Sequence, residues 1–255
     1  MLWKKIFYGP VISRRLGYSL GVNLLPNKKK ICNFNCIYCE CGLNEKFKQK
    51  EPLPTLTEFE NALKETLEYF KNINQVINHI TFSGNGEPTL HPDFDKIIDL
   101  TIKYRNIYYP DTKIAVLTNS TRLHIEKVYN ALQKIDVPIC KLDAGTEKQF
   151  QLIDAPEIKI SIDEITNHLK NFGNKVIIQT IFLRGFVNNQ FVDNTTNEEL
   201  NEYIKRLKII KPQKVMIYSI DRKTPFDTLE AISKEELEKI ANFISSNGFE
   251  IDYYL

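Results

Sequence analysis

The chain has 255 residues, with 34 lysines and arginines against 32 aspartates and glutamates, and therefore a formal net charge of +2. A charge this small gives no reason to expect strong electrostatic binding to nucleic acid or to an anionic membrane. No apolar run approaches the roughly 18 residues that cross a bilayer, and the N-terminus lacks the apolar core of a signal peptide. We therefore expect a cytoplasmic protein whose five cysteines are reduced thiols.

Short β-branched runs alternate with amphipathic helical patterns along the chain. The predicted strands are Ser19–Leu25, His79–Ser83, Lys113–Thr118, Val137–Asp143, Lys175–Leu183 and Lys214–Ile220. Apolar residues at helical spacing follow around 56–70, 94–102, 125–132, 162–169, 200–207 and 237–244, and capping boxes are predicted at Thr57/Glu60, Ser161/Glu164, Thr196/Glu199 and Ser233/Glu236. This alternation predicts one α/β domain over residues 1–255, with six parallel strands and outer helices.

Three longer stretches lack a regular pattern. They are an N-terminal arm (residues 1–18), a cysteine-rich loop (26–54) and the segment Asp221–Ala231. The tail, Phe249–Leu255, is a candidate for one more short strand. Because catalytic groups in such folds sit at the carboxyl ends of the strands, the loops that follow the strands are where function is expected.

The most informative motif lies in the cysteine-rich loop. Cys32, Cys36 and Cys39 are spaced C-x₃-C-x₂-C, and Tyr38 stands directly before the last of them. Thiolates are the ligands that iron–sulfur clusters require, and three thiolates on a four-iron cluster leave one iron open for chemistry. The alternative is a structural zinc site completed by Cys41, although zinc sites usually use paired cysteines separated by a longer spacer.

This spacing resembles the signature of the radical SAM enzymes. The resemblance implies a partial (β/α)₆ TIM-like barrel and a [4Fe–4S] cluster bound by the three cysteines. The open iron would bind S-adenosylmethionine (SAM), with Tyr38 near the adenine. One electron from a flavodoxin- or ferredoxin-type donor would cleave SAM to a 5′-deoxyadenosyl radical, and the protein would orient the cofactor and exclude water.

A glycine turn follows the second predicted strand and reads Gly84-Asn85-Gly86-Glu87. Glycines let a backbone approach a ligand closely, and a carboxylate accepts hydrogen bonds from a cation. In radical SAM proteins a similar turn holds the methionine end of SAM, whereas taken alone it reads as an ordinary turn between strand and helix. The next strand ends in Asn119, which suits either SAM or a helix N-cap.

The later strand ends carry charged residues. Lys141 and Asp143 share one face of the fourth strand; Lys141 is a candidate for binding SAM or a substrate anion, for a Schiff base, or for a salt-bridged rim. Cys140 reads best as a small buried residue, with a catalytic thiol or a ligand of an auxiliary cluster as the alternative. The candidate substrate residues are Lys141, Asp143, Arg184, Asp221 and Arg222.

The N-terminal stretch from Phe7 to Asn23 resembles a branch of radical SAM oxidoreductases that is related to the wyosine (tRNA imidazoline-forming) synthases. Those enzymes carry additional cysteines ahead of the motif for a second cluster. Here the residues before Cys32 contain none, which argues against imidazoline chemistry. A basic rim formed by Arg14, Arg15 and 28–30 would suit an RNA, although a solvated mixed surface is the simpler interpretation.

We therefore predict a radical SAM enzyme that abstracts hydrogen from an unidentified substrate, such as a tRNA, a nucleotide or another anionic molecule. One alternative is an activase that places a glycyl radical on a partner protein. Another, from a different class, is a non-catalytic zinc or Fe–S binding module. The sequence predicts no membrane association and leaves the oligomeric state open.

Overall fold

The computed structural model describes residues 2–44 and 51–254. Residues 45–50 of the predicted cysteine-rich loop lie outside this range. The described chain divides into two compact units: the first contains residues 2–32, 44, 51–118 and 122–138, and the second contains 33–43, 119–121 and 139–254. The prediction of a single domain is not decided by this division and remains a prediction.

The first unit is built on four strands. Its strands are β1 (Phe7–Ser13), β2 (Gly17–Val22), β3 (His79–Phe82) and β4 (Lys113–Thr118), and its helices are α1 (Leu56–Asn72), α2 (Phe94–Tyr108) and α3 (Glu126–Lys134), with a 3₁₀ turn at Pro88–Leu90. β2, β3 and β4 pair in parallel, and β1 is antiparallel to β2. Phe59, Leu63 and Leu67 of α1 are buried, as its helical spacing predicts.

The second unit centres on a long strand, β6. Its elements are β5 (Val137–Lys141, paired from residue 139), α4 (Glu147–Ile153), α5 (Ile162–Phe172), β6 (Ile177–Val187), β7 (Gln190–Asp193), α6 (Asn197–Ile210), β8 (Lys214–Ser219), β9 (Leu229–Ala231), α7 (Lys234–Ser246) and β10 (Ile251–Tyr254). β5 and β8 are parallel neighbours of β6, and β10 is parallel to β8. β7 and β9 pair with β6 in antiparallel fashion.

The structure corrects the prediction of an irregular N-terminal arm over residues 1–18. β1 and the start of β2 form a hairpin there, with a register shift between Tyr8 and Val11. Gly9 and Pro10 occupy this irregularity at the edge of the sheet, where a proline costs no ladder hydrogen bond. The segment Asp221–Ala231 likewise contains β9, whereas the proposed C-terminal strand is confirmed as β10.

Three of the four predicted capping boxes need correction. The box of α1 is formed by Thr55 and Glu58, two residues before the predicted pair, while the box at Ser161 and Glu164 is confirmed. Thr196 and Ser233 do cap α6 and α7, but the reciprocal carboxylates bind elsewhere: Glu199 accepts from the amides of residues 145 and 146, and Glu236 pairs with an arginine of β6. In α6 and α7 the glutamate therefore bonds to groups distant in sequence, and not to the backbone of its own N-cap residue.

All six predicted strands are present. Of the ten strands in the described residues, seven have a parallel neighbouring strand, and helices lie between them in the chain. The predicted α/β class is confirmed. Among the described residues, no helix is both long enough and apolar enough to cross a membrane.

Candidate active site

The glycine turn holds the residue that precedes the first cysteine. The amide of Ile31 donates to the carbonyl of Asn85 at 2.8 Å, and the amide of Glu87 donates to the carbonyl of Ile31 at 3.0 Å. Gly86 has φ +133°, and a Cβ there would overlap the Ile31 carbonyl. Glycine is therefore required for this close approach, which fixes the chain one residue before Cys32.

The Asn85 side chain is fully buried and faces the N-terminal segment. Its Oδ1 accepts from the amide of Trp3, and its Nδ2 donates to the carbonyls of Trp3 and Pro26, each at 2.8 Å. Its own amide donates to Asn23 Oδ1 at 3.0 Å. We predicted Asn85 as a SAM-binding residue; both donors of its carboxamide are used within the protein, so any ligand contact would have to come from the turn's backbone.

The Glu87 carboxylate is buried as well, with 2% of the residue exposed. Its Oε1 accepts from the amide of Thr89 at 3.1 Å, from the hydroxyl of Thr89 at 2.6 Å and from the hydroxyl of Thr118 at 2.8 Å. The carboxylate therefore ties the turn to the end of β4. Its predicted role at the methionine end of SAM remains a prediction.

Asn119, at the end of β4, contacts the residue that follows the first cysteine. Its Nδ2 donates to Asn33 Oδ1 at 2.6 Å, and Asn33 Nδ2 donates to the hydroxyl of Thr121 at 2.6 Å. Thr121 in turn donates to Asn119 Oδ1 from its hydroxyl, at 2.8 Å. This closed triangle of side chains supports the cysteine segment, a role for Asn119 that the sequence did not suggest.

The end of α4 forms a backbone track for the next part of the segment. The amide of Asn35 donates to the carbonyls of Asp154 and Ala155 at 3.0 Å, and the amide of Ile37 donates to the carbonyl of Ile153 at 3.0 Å. Two further backbone contacts, of Phe34 with residue 156 and of residue 157 with residue 33, extend the track. Residues 33–37 are thus held along their length.

A partly buried polar cluster includes the second cysteine and the tyrosine that precedes the third. The Tyr38 hydroxyl donates to Asp143, and Lys141 forms ion pairs with Asp143 and, at 3.3 Å, with Asp154. Lys141 Nζ lies 4.3 Å from the centre of the Tyr38 ring, within range of a cation–π interaction. Cys36 Sγ is 3.7 Å from Asp154 Oδ1. The five side chains form one network, which we call the Lys141 cluster.

The charges of this cluster shift its pKa values in opposing ways. Burial lowers the pKa of Lys141, but Asp143, Cys36 and Asp154 outweigh it, and the net pKa lies well above the usual range. Burial raises the pKa of Asp154 to about 7, against the attraction of Lys141. Lys141 is therefore salt-bridged to two carboxylates, as in the last of its three sequence alternatives, and its predicted roles towards SAM or substrate remain predictions.

The remaining predicted substrate residues are placed as follows. Arg184 donates to Thr195 at 2.8 Å and pairs with Glu236, with Asp193 at 3.7 Å from its Nε. Arg222 is exposed and pairs with Glu40 at 2.6 Å, directly after the third cysteine. The structure does not bring these two arginines into the Lys141 cluster, and each is engaged by carboxylates.

Three further residues of interest differ in exposure. Asp221 is exposed in the loop after β8. Cys140 is completely buried on β5, as expected for a small core residue. Lys30 is only 7% exposed, so it is not part of the basic rim that the sequence suggested.

Sequence reasoning missed Asn33, Asp154 and Gln179. Gln179 pairs in register with Lys141, and its Nε2 is buried without a hydrogen-bond partner among the described residues. An amide directly after the apolar run 176–178 of a predicted strand was a usable signal for Gln179. Asp154 ends a helix and Asn33 is one of several asparagines, so neither stood out by pattern.

The sequence pattern of the radical SAM superfamily matches residues 27–193. A UPF0026 protein of Helicobacter pylori is 31% identical over 241 residues, which cover 93% of this chain and 73% of that protein. Another curated relative is 35% identical, but the chain spans only 35% of its length.

Two solved structures have a similar fold. A radical SAM methyltransferase from Sphaerobacter thermophilus aligns with a TM-score of 0.66 and 14% identity, over 88% of this chain and 63% of that one. An archaeal TYW1 aligns with a TM-score of 0.51 and 16% identity, over 90% and 72%. At these identities the likeness shows the fold alone. It confirms the predicted fold, a partial barrel of the radical SAM type.

The superfamily pattern covers well over half of the chain, including the three cysteines, the glycine turn and the Lys141 cluster. The resemblance found in the sequence is thereby confirmed: the chain belongs to the radical SAM superfamily.

Proposed function

We propose that Cys32, Cys36 and Cys39 ligate a [4Fe–4S] cluster and that the enzyme cleaves SAM reductively to abstract hydrogen from its substrate. When bound, the reduced cluster and SAM supply a one-electron cleavage that yields a 5′-deoxyadenosyl radical. The observation that carries the proposal is the way the cysteine segment is held. Residues 31, 33, 35, 37 and 38 are hydrogen-bonded to strand ends or to the end of α4, and the cysteines lie among them.

The donor set fits such a cluster. Cys36 is buried and Cys32 and Cys39 are half-buried, so thiolates there would be shielded from water without being sealed from a second ligand. A four-iron cluster takes one thiolate per iron, so the sulfur atoms need not converge on one point. A single zinc ion, by contrast, needs four ligands arranged around it.

The chain's own residues have three kinds of role in this proposal. The cysteines bind iron. The turn at Gly84–Glu87 holds the methionine end of SAM through its backbone, and Tyr38, fixed by Asp143, packs against the nucleoside. Lys141 pairs with the buried carboxylates of Asp143 and Asp154, the second of which lies 3.7 Å from Cys36 Sγ, and so helps to keep the segment in place.

The basic residues that the sequence predicts for an anionic substrate already have partners within the protein. Lys141, Arg184 and Arg222 each pair with carboxylates. An incoming phosphate would compete with these pairs, at little cost for the exposed Arg222–Glu40 pair and at a higher cost for Lys141, whose carboxylate partners are buried. The proposal therefore ends at hydrogen abstraction, with an external one-electron donor of flavodoxin or ferredoxin type.

Cys36→Ala tests the proposal, with Cys41→Ser and Cys140→Ala as controls. After anaerobic reconstitution with iron and sulfide, the wild type should absorb broadly near 400 nm and release 5′-deoxyadenosine from SAM and dithionite. Cys36→Ala should lose both properties, whereas the two controls should keep both. A colourless protein that binds zinc and loses it in Cys41→Ser would overturn the proposal in favour of the zinc alternative.

A further inference from the structure

The Asn85 carboxamide joins the N-terminal segment to the glycine turn. It bonds both the amide and the carbonyl of Trp3, each at 2.8 Å, much as a neighbouring strand would. The same side chain donates to the carbonyl of Pro26, and Asn85 is completely buried. A buried amide whose donors are both used cannot be moved without leaving polar groups unpaired.

A second connection runs through the Trp3 ring. The ring stacks on Tyr8, with the centroids 3.7 Å apart and the planes 9° from parallel. The Tyr8 hydroxyl donates to the carbonyl of Ser83 at 2.7 Å, immediately before the turn. Gly21 lies against the Tyr8 ring so closely that a Cβ would overlap it. Trp3 is therefore connected to the turn in two ways: its backbone bonds to Asn85, and its ring stacks on Tyr8, which bonds to Ser83.

We propose that Trp3, Tyr8 and Asn85 form a clamp that positions the glycine turn for SAM. The three residues are positioning residues, since they act through the backbone of residues 83–87. This inference rests on the proposed function, because it assigns the turn to the methionine end of SAM. It goes further by making the first residues of the chain part of the cofactor site.

The chain provides its own probe, since Trp3 is its one tryptophan. When SAM is titrated into the reconstituted wild type, the Trp3 fluorescence should change. The SAM concentration at the midpoint of that change should equal the dissociation constant that equilibrium dialysis gives for SAM. Adenosine, which absorbs like SAM but lacks the methionine group, should leave the fluorescence unchanged at equal concentration. SAM binding by dialysis without any change in Trp3 emission overturns the clamp.

Asn85→Ala is the decisive variant, with Asn130→Ala on the exposed face of α3 as the matched control. We expect about tenfold weaker SAM binding in Asn85→Ala and no change in the control. A purely structural role would lower the melting temperature and leave the SAM affinity as in wild type, and that result refutes the clamp.

Trp3 substitutions keep the test open if Asn85→Ala does not fold. Trp3→Ala should weaken SAM binding by several-fold, and Trp3→Phe should restore it, because phenylalanine can stack on Tyr8. Equal SAM affinity in wild type and Trp3→Ala overturns the clamp alone. A wild type that carries iron but binds no SAM overturns the proposed function itself, so the two failures are distinguishable.

Discussion

Gly86→Ala should release the segment that leads to the first cysteine. The new Cβ would overlap the carbonyl of Ile31, and alanine at φ +133° is strained wherever it stands. The carbonyl of Ile31 has to move, and the two backbone hydrogen bonds between Ile31 and the turn, at 2.8 and 3.0 Å, are lost with it. The alanine therefore acts on the approach to Cys32.

The size of the effect follows from these contacts. Backbone strain at such a φ costs about 1–3 kcal/mol. Each buried polar group left unpaired costs about 1–3 kcal/mol. A combined loss of even ~3 kcal/mol shifts the docking equilibrium of the segment by a factor of about 100 or more. Most molecules would then present Cys32 away from its position.

Two measurements check this prediction. Iron content after anaerobic reconstitution should fall to a small fraction of the wild-type value, and in the metal-free protein the amide of Ile31 should exchange with solvent much faster. Gly248→Ala is the matched control, since Gly248 also has a positive φ, +91°, but a Cβ there meets nothing within 4 Å. If Gly86→Ala binds iron and protects Ile31 as Gly248→Ala does, the docking argument is wrong.

Two other substitutions test buried charge. Lys141→Met leaves Asp143 and Asp154 without their cation and should destabilise the protein by about 3–5 kcal/mol, a fall in melting temperature of about 10 °C, whereas the exposed Lys148→Met should change little. The Nδ1 of His91 accepts from the amide of Asp93, and its Nε2 therefore donates to the carbonyl of Pro54. Burial lowers the pKa of His91. The folded protein therefore binds a proton at this imidazole less readily than the unfolded chain does. The contribution of His91 to stability is therefore lost as the pH falls below about 6.5. Thermal unfolding of wild type and His91→Gln from pH 8 to 5.5 checks this: the wild type should lose stability relative to the glutamine variant as the pH falls.

The parts of the site that could be predicted are those encoded locally. The cysteine spacing, the glycine turn and the six strands each depend on residues close together in sequence, and all are where the patterns place them. Lys141 and Asp143 share a face because side chains alternate along a strand. Such features need no knowledge of which distant groups meet.

The partners of polar side chains could not be predicted in the same way. Cys36 meets Asp154 across 118 residues of sequence, and Asn33 meets Asn119 across 86. Arg184 looked available for an anion because its carboxylate partner, Glu236, lies 52 residues further along the chain. A side chain's type limits what it can bind, but only the tertiary structure decides whether the protein has already used it.

The cysteine segment is held by polar groups of the protein, which adds to the support that membership of the radical SAM superfamily gives to an enzyme over a small metal-binding module. Ordering a residue costs about 1–2 kcal/mol of backbone entropy, so an unsupported segment of eight residues would consume much of the free energy of metal binding. In small zinc modules the metal meets this cost, and the apoprotein is unfolded. Here part of this entropy cost is offset when the chain folds, by contacts of the segment with the turn at Gly86, the Asn119 side chain, the α4 track and the Lys141 cluster. Less of the free energy of metal binding is then needed to order the segment than in a module that folds around its metal.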